Sequence, residues 1–317
     1  MKANEFEFKT LAAPSGWKPP TRIRREKFDY LAMLKSSAHQ LHVSEQKRRA
    51  VLYAVNENPL YHFLLLESIS SLRTHNLRIS IYVVVNGRVS ETLRKAKARL
   101  SFEIIPRPYL SPPFDLMLKW LALSALPKIE NLLVLDADTY FYGDVGKFFK
   151  KYNRSDFAAR RELGTESKGR PHSSQLRESD YRKVLNRFGS KVSTPVFNTG
   201  AMLFSRHSHQ MVSKQLEIVF KAQAFFVRYP DRYPSPNPHL VEEICASLLL
   251  GTLPLKLGQL SPKDAPIYND DKGKSKDFAG SILVHMGTHY CREFYQKIGS
   301  PEKSVKLRKL MFMGRPR

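Results

Sequence analysis

The length, composition and charge of the chain bound what kind of protein it is. It has 317 residues, of which 42% are hydrophobic, so it is long enough to bury the core of one large α/β domain. Lys and Arg number 52 against 29 Asp and Glu, which gives a formal charge of +23. That excess favours polyanions such as nucleic acid, anionic lipid or phosphorylated glycan as partners. It suits a solvated basic surface equally well and identifies no partner.

The sequence also argues against secreted disulfide-rich proteins and integral membrane proteins. The first eight residues lack a basic stretch leading into an apolar one, so we expect no cleaved secretory signal and a cytoplasmic location. The most apolar stretches are interrupted well short of the roughly 20 apolar residues that a membrane-spanning helix needs. Only Cys245 and Cys291 are present, too few for a disulfide framework or a Cys-ligated metal.

Composition divides the chain into three parts. Residues 1–45 are polar and carry three prolines with a basic cluster over 22–27, which predicts a basic N-terminal arm. Residues 46–298 are predicted to form one domain, with an Arg-rich insertion at about 153–191. Residues 299–317 are predicted to be a basic C-terminal tail, in which basic and apolar residues interleave.

Within the domain, strand patterns alternate with helix patterns. In chain order we predict a strand over 49–55, a helix over 60–73, a strand over 77–85, a helix over 89–100, a strand over 102–106, a helix near 116–126 and a strand over 132–135. This alternation predicts an α/β fold with a mostly parallel central sheet flanked by helices. Ligands of open α/β sheets bind at the carboxyl ends of the strands, where this chain places Asn56, Asn86 and Asp136.

The most informative segment is the apolar run 132–135 followed by Asp136-Ala137-Asp138. Two carboxylates directly after a buried strand are costly unless a partner neutralises them. Two Asp residues at i and i+2 on an extended segment can reach one divalent ion, which can also take phosphate oxygens. The alternative is that one Asp caps the next helix while the other is solvated.

Several segments together resemble the glycogenin-like GT-A glycosyltransferases, a retaining family with an Asp-x-Asp motif. The segment 133–138 followed by Asp144-Val145 resembles the motif itself, and 115–123 resembles the helix whose lysine, here Lys119, faces the sugar-phosphate. The segment 196–204 resembles the one whose asparagine and glycine, here Asn198 and Gly200, approach the donor sugar. The resemblance implies a GT-A, Rossmann-like domain over 46–298 and a nucleotide-sugar donor.

The resemblance extends to a third metal ligand but departs from the family after it. His285 follows an apolar strand at the position where the family has a histidine ligand, which implies an Asp136, Asp138 and His285 site for Mn²⁺ or Mg²⁺. A lone histidine is otherwise often a core residue. The family's later Lys-Pro-Trp is absent here, so His289 or Arg292 is the candidate to contact the pyrophosphate.

Two further groups of residues take their expected roles from the resemblance. Glu242 and Glu243 match an acidic or amide pair at the start of a helix and are candidates to orient the acceptor or face the reacting sugar. Carboxylates in the first turn of a helix are alternatively ordinary dipole partners. Val55 and Asn56 match the strand end that holds the nucleotide base, with Tyr61 or Asn86 completing the pocket.

The predicted reaction is transfer of a sugar from a UDP-sugar to a hydroxyl acceptor with retention, with inversion by a Glu242 or Glu243 base as the alternative. The insertion and the tail suggest an anionic acceptor or peripheral binding to an anionic membrane surface. Two other functions stay open, namely sugar transfer to nucleic acid and a non-catalytic basic protein that binds nucleic acid or membranes. No zinc-finger spacing or RNP-like motif supports a nucleic-acid role.

Overall fold

The structure is a computed structural model that describes residues 48–107, 110, 117–124, 126, 129–161, 178–191, 193–228, 238–268, 278 and 280–313. The predicted arm over 1–45 and the central part of the predicted insertion, 162–177, lie outside these residues.

The described strands and helices follow the predicted alternation. The strands are β1 Arg49–Val55, β2 Ser80–Asn86, β3 Glu103–Arg107, β4 Asn131–Leu135, β5 Thr139–Phe141, β6 Phe157–Arg161, β7 Phe197–Ser205, β8 Leu257–Gln259 and β9 Leu283–His285. The helices are α1 Pro59–His75, α2 Glu91–Leu100, α3 Leu118–Ser124, α4 Val145–Tyr152, α5 Glu178–Arg187, α6 Arg206–Lys214, α7 Glu217–Arg228, α8 Pro238–Thr252, α9 Cys291–Lys297 and α10 Pro301–Met313. None of the helices among these residues has the length and apolar character needed to cross a bilayer.

One sheet organises the fold, with strand order β3-β2-β1-β4-β7-β6-β8. The pairs β1–β2, β1–β4, β2–β3 and β6–β8 are parallel, whereas β7 runs antiparallel to both β4 and β6. The strands β5 and β9 form a separate antiparallel pair. The predicted α/β class and mostly parallel sheet are confirmed.

The strands β1, β2 and β4 are apolar nearly throughout and are buried on both faces of the sheet. Along β1, Ala50 and Leu52 belong to one hydrophobic cluster, whereas Val51, Tyr53 and Val55 belong to the cluster on the other face. Successive side chains of a strand point to opposite faces, so an unbroken apolar run fits a sheet that is covered on both sides.

The topology brings distant segments to one edge of the sheet. The strands β1, β2 and β4 end at this edge, and the antiparallel β7 begins there, so that Leu135 at the end of β4 pairs with Ala201. The short pair β5–β9 places Thr139 opposite His285. The carboxyl edge of the sheet therefore gathers the segments that carry Asp136, Asn198 and His285.

The predicted C-terminal tail contains a helix that packs against the domain. In α10, Leu307 is 1% exposed within the core, and Lys303 forms an ion pair with Glu67 of α1 at 2.5 Å. The neighbouring Val305, by contrast, is 56% exposed. One face of the helix therefore packs on the domain, and another faces solvent.

Leu307→Ala is expected to lower the free energy of unfolding by about 2–4 kcal/mol, because it leaves a cavity where a fully buried leucine packed. Val305→Ala on the same helix is the matched control and is expected to change stability by less than about 0.5 kcal/mol. Urea denaturation followed by circular dichroism measures both. Equal effects of the two variants would contradict the docking of α10.

Candidate active site

Asp136, Asp138 and His285 form the chemical centre of the site. Each offers one ligand atom, and the three atoms lie within 4.8 Å of one another. The His285 Nε2 is 3.5 Å from Asp138 Oδ1 and 3.8 Å from Asp136 Oδ2. Two carboxylates and one imidazole are a suitable donor set for a divalent cation such as Mn²⁺, and three protein ligands leave positions for phosphate oxygens. The residues present therefore fit the metal that the sequence predicted.

The backbone of the two aspartates is fixed by neighbouring strands. The Asp136 N–H donates to the Gly200 carbonyl at 3.0 Å, and the Met286 N–H donates to the Asp138 carbonyl at 2.8 Å. The Thr288 hydroxyl donates to Asp138 Oδ2 at 2.9 Å, which leaves Oδ1 facing His285. The carboxylates are thus held in place by the protein itself.

A buried chain of hydroxyl groups also stabilises the segment that carries Asp136 and Asp138. The Tyr53 hydroxyl lies 2.8 Å from Ser68 Oγ, which lies 2.8 Å from Thr139 Oγ1. Thr139 Oγ1 in turn donates to the Asp136 carbonyl at 3.1 Å. Burial raises the pKa of Tyr53 well above its usual range, so the phenol stays neutral and available for this network.

Asp138 and His285 shift each other's titration in opposite directions. Burial raises the pKa of Asp138, but His285 and the hydrogen bonds to the carboxylate outweigh it, so the pKa lies below its ordinary value. Burial likewise lowers the pKa of His285, and the carboxylates of Asp138 and Asp136 outweigh it, so the pKa lies above its ordinary value. A metal ion at this site therefore competes with a proton on the imidazole.

Lys119 is buried beneath the cluster and bonded to protein groups. Its Nζ lies 2.6 Å from Asp136 Oδ1 and 3.3 Å from Glu242 Oε2, and it also donates to the Thr199 carbonyl at 3.2 Å. Burial lowers the pKa of this ammonium, but Asp136 and Glu242 outweigh it and raise the pKa. The resemblance implied a lysine facing the sugar-phosphate. In the structure, Lys119 neutralises and anchors Asp136.

Glu242 and Glu243 are both buried in α8, and their carboxylate oxygens accept hydrogen bonds from other side chains of the protein. Glu242 accepts from Trp120 Nε1 and from Thr199 Oγ1, each at 2.6 Å. Glu243 Oε1 accepts from Asn198 Nδ2 at 2.9 Å. The first turn of α8 contains no acidic residue, so the expected position in a first turn is wrong, and with it the alternative of an ordinary dipole partner.

Gly200 makes room for the imidazole of His285. A Cβ added to this glycine would lie 2.2 Å from His285 Cε1 and 2.3 Å from Nδ1, distances that no real side chain tolerates. Asn198, two residues earlier, accepts from the Gly200 N–H at 3.1 Å through its Oδ1. The resemblance implied that Gly200 approaches the donor sugar. In the structure, Gly200 packs against His285.

The residues predicted to hold the base sit at the ends of β1 and β2. Val55 is buried, and Asn56 Oδ1 accepts from the Asn58 N–H at 3.1 Å. Both polar ends of the Asn86 amide bond the backbone of Leu110, at 2.9 and 2.6 Å. Asn86 thereby holds the chain at Leu110, and the base-binding role of these residues stays a prediction.

The two candidates for the pyrophosphate stay predictions as well. Arg292 is exposed on the first turn of α9. The His289 side chain lies outside the described part of the structure.

Among the supports that the sequence interpretation missed, three side chains bond the carboxylates of the site directly. Trp120 and Thr199 bond Glu242, and Thr288 bonds Asp138. Trp120 and Thr199 each adjoin a predicted residue, so their positions carried a signal. Thr288 likewise directly precedes the predicted His289, but its partner lies 150 residues earlier in the chain, so its role had no local signal.

Comparisons with known proteins give a fold but no family. No protein-family model and no curated protein matches the sequence. Among solved structures, the chain is similar to the galactosyltransferase LgtC in complex with donor and acceptor sugar analogs, with a TM-score of 0.52 and 12% identity over 81% of this chain and 94% of that one. An active-site mutant of LgtC gives a TM-score of 0.51 and 13% identity over 79% of this chain and 95% of that one. The WbbM bifunctional glycosyltransferase gives a TM-score of 0.50 and 12% identity over 83% of this chain and 52% of that one. The chain therefore has the fold of the GT-A glycosyltransferases.

Proposed function

We propose that the protein is a metal-dependent glycosyltransferase that transfers a sugar from a nucleotide-sugar, specifically a UDP-sugar, to a hydroxyl acceptor. The observation that carries this proposal is the Asp136, Asp138 and His285 cluster at the carboxyl edge of a GT-A sheet. The structure of LgtC with donor and acceptor sugar analogs supports the same use of this fold. Mn²⁺ or Mg²⁺ is the proposed metal.

The chain's own residues supply the binding and the electrostatics. A divalent ion, when bound, neutralises negative charge that grows on the departing diphosphate. Asp136, Asp138 and His285 would hold that ion, and Lys119 keeps Asp136 in place by pairing with its Oδ1 at 2.6 Å. A site whose charges are positioned in advance does not have to reorganise during the reaction.

Retention stays the proposed stereochemical outcome, and Glu242 in particular is poorly placed to be the base of an inverting reaction. Inversion needs a carboxylate that can take the acceptor's proton. Glu242 accepts hydrogen bonds from Trp120 and Thr199 and pairs with Lys119, so its oxygens are committed to the protein. Burial raises the pKa of Glu242, and the ammonium of Lys119 opposes the shift.

The competing functions gain no support from the described residues. A non-catalytic binding protein does not account for three potential metal ligands gathered at the carboxyl edge of the sheet. The anionic acceptor, the nucleic-acid acceptor and the membrane surface stay predictions, as does the cytoplasmic location.

A panel of UDP- and GDP-sugars tests the proposal. Slow hydrolysis of one donor is expected in the presence of Mn²⁺, because water can take the place of the acceptor when no acceptor is added. EDTA is expected to abolish this hydrolysis. Released nucleoside diphosphate, measured by a coupled assay, is the readout. Absence of both binding and hydrolysis for all donors, in protein whose circular dichroism shows a folded state, would refute the proposal.

A further inference from the structure

The side chain of Asn198 has a defined orientation because of its backbone neighbour. Its Oδ1 accepts from the Gly200 N–H at 3.1 Å, and a backbone N–H can only donate, so the atom at this position is the oxygen. The Nδ2 group then faces Glu243 Oε1 at 2.9 Å, where it donates to a carboxylate. Two independent contacts therefore fix which way the amide points.

This orientation dictates which nitrogen of His285 carries a proton. His285 Nδ1 lies 3.1 Å from the same Asn198 Oδ1. An amide oxygen only accepts hydrogen bonds, so Nδ1 is the donor. Nε2 faces Asp138 Oδ1 and Asp136 Oδ2, so without a metal it can donate to these carboxylates, and it offers its lone pair only when a cation takes the place of that proton.

The ring and the amide have little freedom to rearrange. His285 packs on Gly200 so closely that a Cβ there would clash with Cε1, Nδ1 and Cγ of the ring. The helix that carries Glu243 is tied to β7 through Ser247, whose hydroxyl donates to the Glu243 carbonyl at 2.7 Å and accepts from the Phe197 N–H at 3.0 Å. The distance from Glu243 to Asn198 is therefore set by rigid elements.

We propose that Glu243 and Asn198 are positioning residues that act through His285. Glu243 orients the Asn198 amide, and Asn198 holds the Nδ1–H tautomer of the imidazole, so that Nε2 presents its lone pair to the metal. The inference rests on the proposed function for the identity of the metal site, but the hydrogen bonds that join Glu243, Asn198 and His285 Nδ1 are present without a metal. Neither residue needs to touch the donor or the acceptor for this role.

Two substitutions of Glu243 separate the hydrogen bond from the charge. Glu243→Gln keeps an oxygen that accepts from Asn198 Nδ2 and is expected to bind Mn²⁺ with an affinity close to that of the wild type. Glu243→Leu removes the acceptor and frees the Asn198 amide to rotate, and it is expected to lower Mn²⁺ affinity by about 10- to 100-fold, as loss of a group behind a ligand typically does. Should the leucine variant fail to fold, Asn198→Leu removes the oxygen that holds Nδ1 and is expected to give the same loss.

A readout that requires no turnover tests the inference. Mn²⁺ affinity of the wild type and of each variant is measured by electron paramagnetic resonance of the free ion, without any donor.

The wild type and Glu243→Gln are expected to bind Mn²⁺ with similar affinity, and Glu243→Leu is expected to bind it more weakly. Equal Mn²⁺ affinities of Glu243→Leu and Glu243→Gln, with a wild type that binds the ion, would overturn the inference. If the wild type binds no Mn²⁺, the proposed function fails instead, so the two failures are distinguishable.

Discussion

Asp138→Asn is expected to reduce metal affinity and donor turnover by at least about 100-fold, since loss of a group behind a ligand alone costs up to that much. The substitution keeps the shape of the side chain but removes its charge, and Asp138 is only 5% exposed beside His285. The Met286 hydrogen bond to the residue's backbone carbonyl is unaffected, so the fold should survive. Turnover by the donor assay and Mn²⁺ binding by electron paramagnetic resonance measure the two effects.

The control for this prediction is Glu91→Gln, which removes one negative charge from an exposed position on α2. It should leave metal binding and turnover unchanged. Asp138→Asn with wild-type metal affinity would show that the cluster is not a metal site.

Gly200→Ala is expected to lower Mn²⁺ affinity by about 10- to 100-fold, the cost typical of displacing the support of a ligand. The added methyl group would lie 2.2 Å from His285 Cε1, so the ring must move away from Asn198 and from the carboxylates. Gly200 has no positive φ, so alanine suits the backbone of β7 and the effect is steric. Calorimetric titration with Mn²⁺ measures the loss.

Gly280→Ala is the matched control, because a Cβ there meets nothing within 4 Å and the backbone has no positive φ. This glycine lies shortly before β9, the strand that ends at His285. Wild-type affinity in Gly200→Ala, or the same loss in both variants, would contradict the assigned packing of His285 on Gly200.

Much of the fold was predictable because hydrophobic runs and their punctuation are local signals. The predicted strand over 49–55 is β1 as observed, and the predicted strand over 132–135 is β4 with one more residue. Asp136 and Asp138 stood out because charges follow directly on a buried strand. The antiparallel direction of β7 had no local signal, since it depends on pairing with β4 and β6, which lie far from β7 in the sequence.

The supports of the site were less predictable than its ligands. Lys119, Glu242 and Glu243 were identified as site residues, but their observed partners are protein groups beneath the cluster. These partners are brought together by packing between α3, α8 and β7. The three elements are far apart in the sequence, so no spacing between residues predicts the contacts. The docking of α10 was missed for a similar reason. The segment is basic overall, and its composition does not show that one face of the helix is buried.

Titration of UDP into the protein by isothermal calorimetry, with Mn²⁺ and then with EDTA, tests the central claim most directly. The proposed function predicts that UDP binds in the presence of Mn²⁺ and that EDTA weakens binding by at least about tenfold, or about 1.4 kcal/mol. If UDP binds equally well in both conditions, or in neither while the protein remains folded, the Asp136, Asp138 and His285 cluster is not a metal bridge to a nucleotide diphosphate.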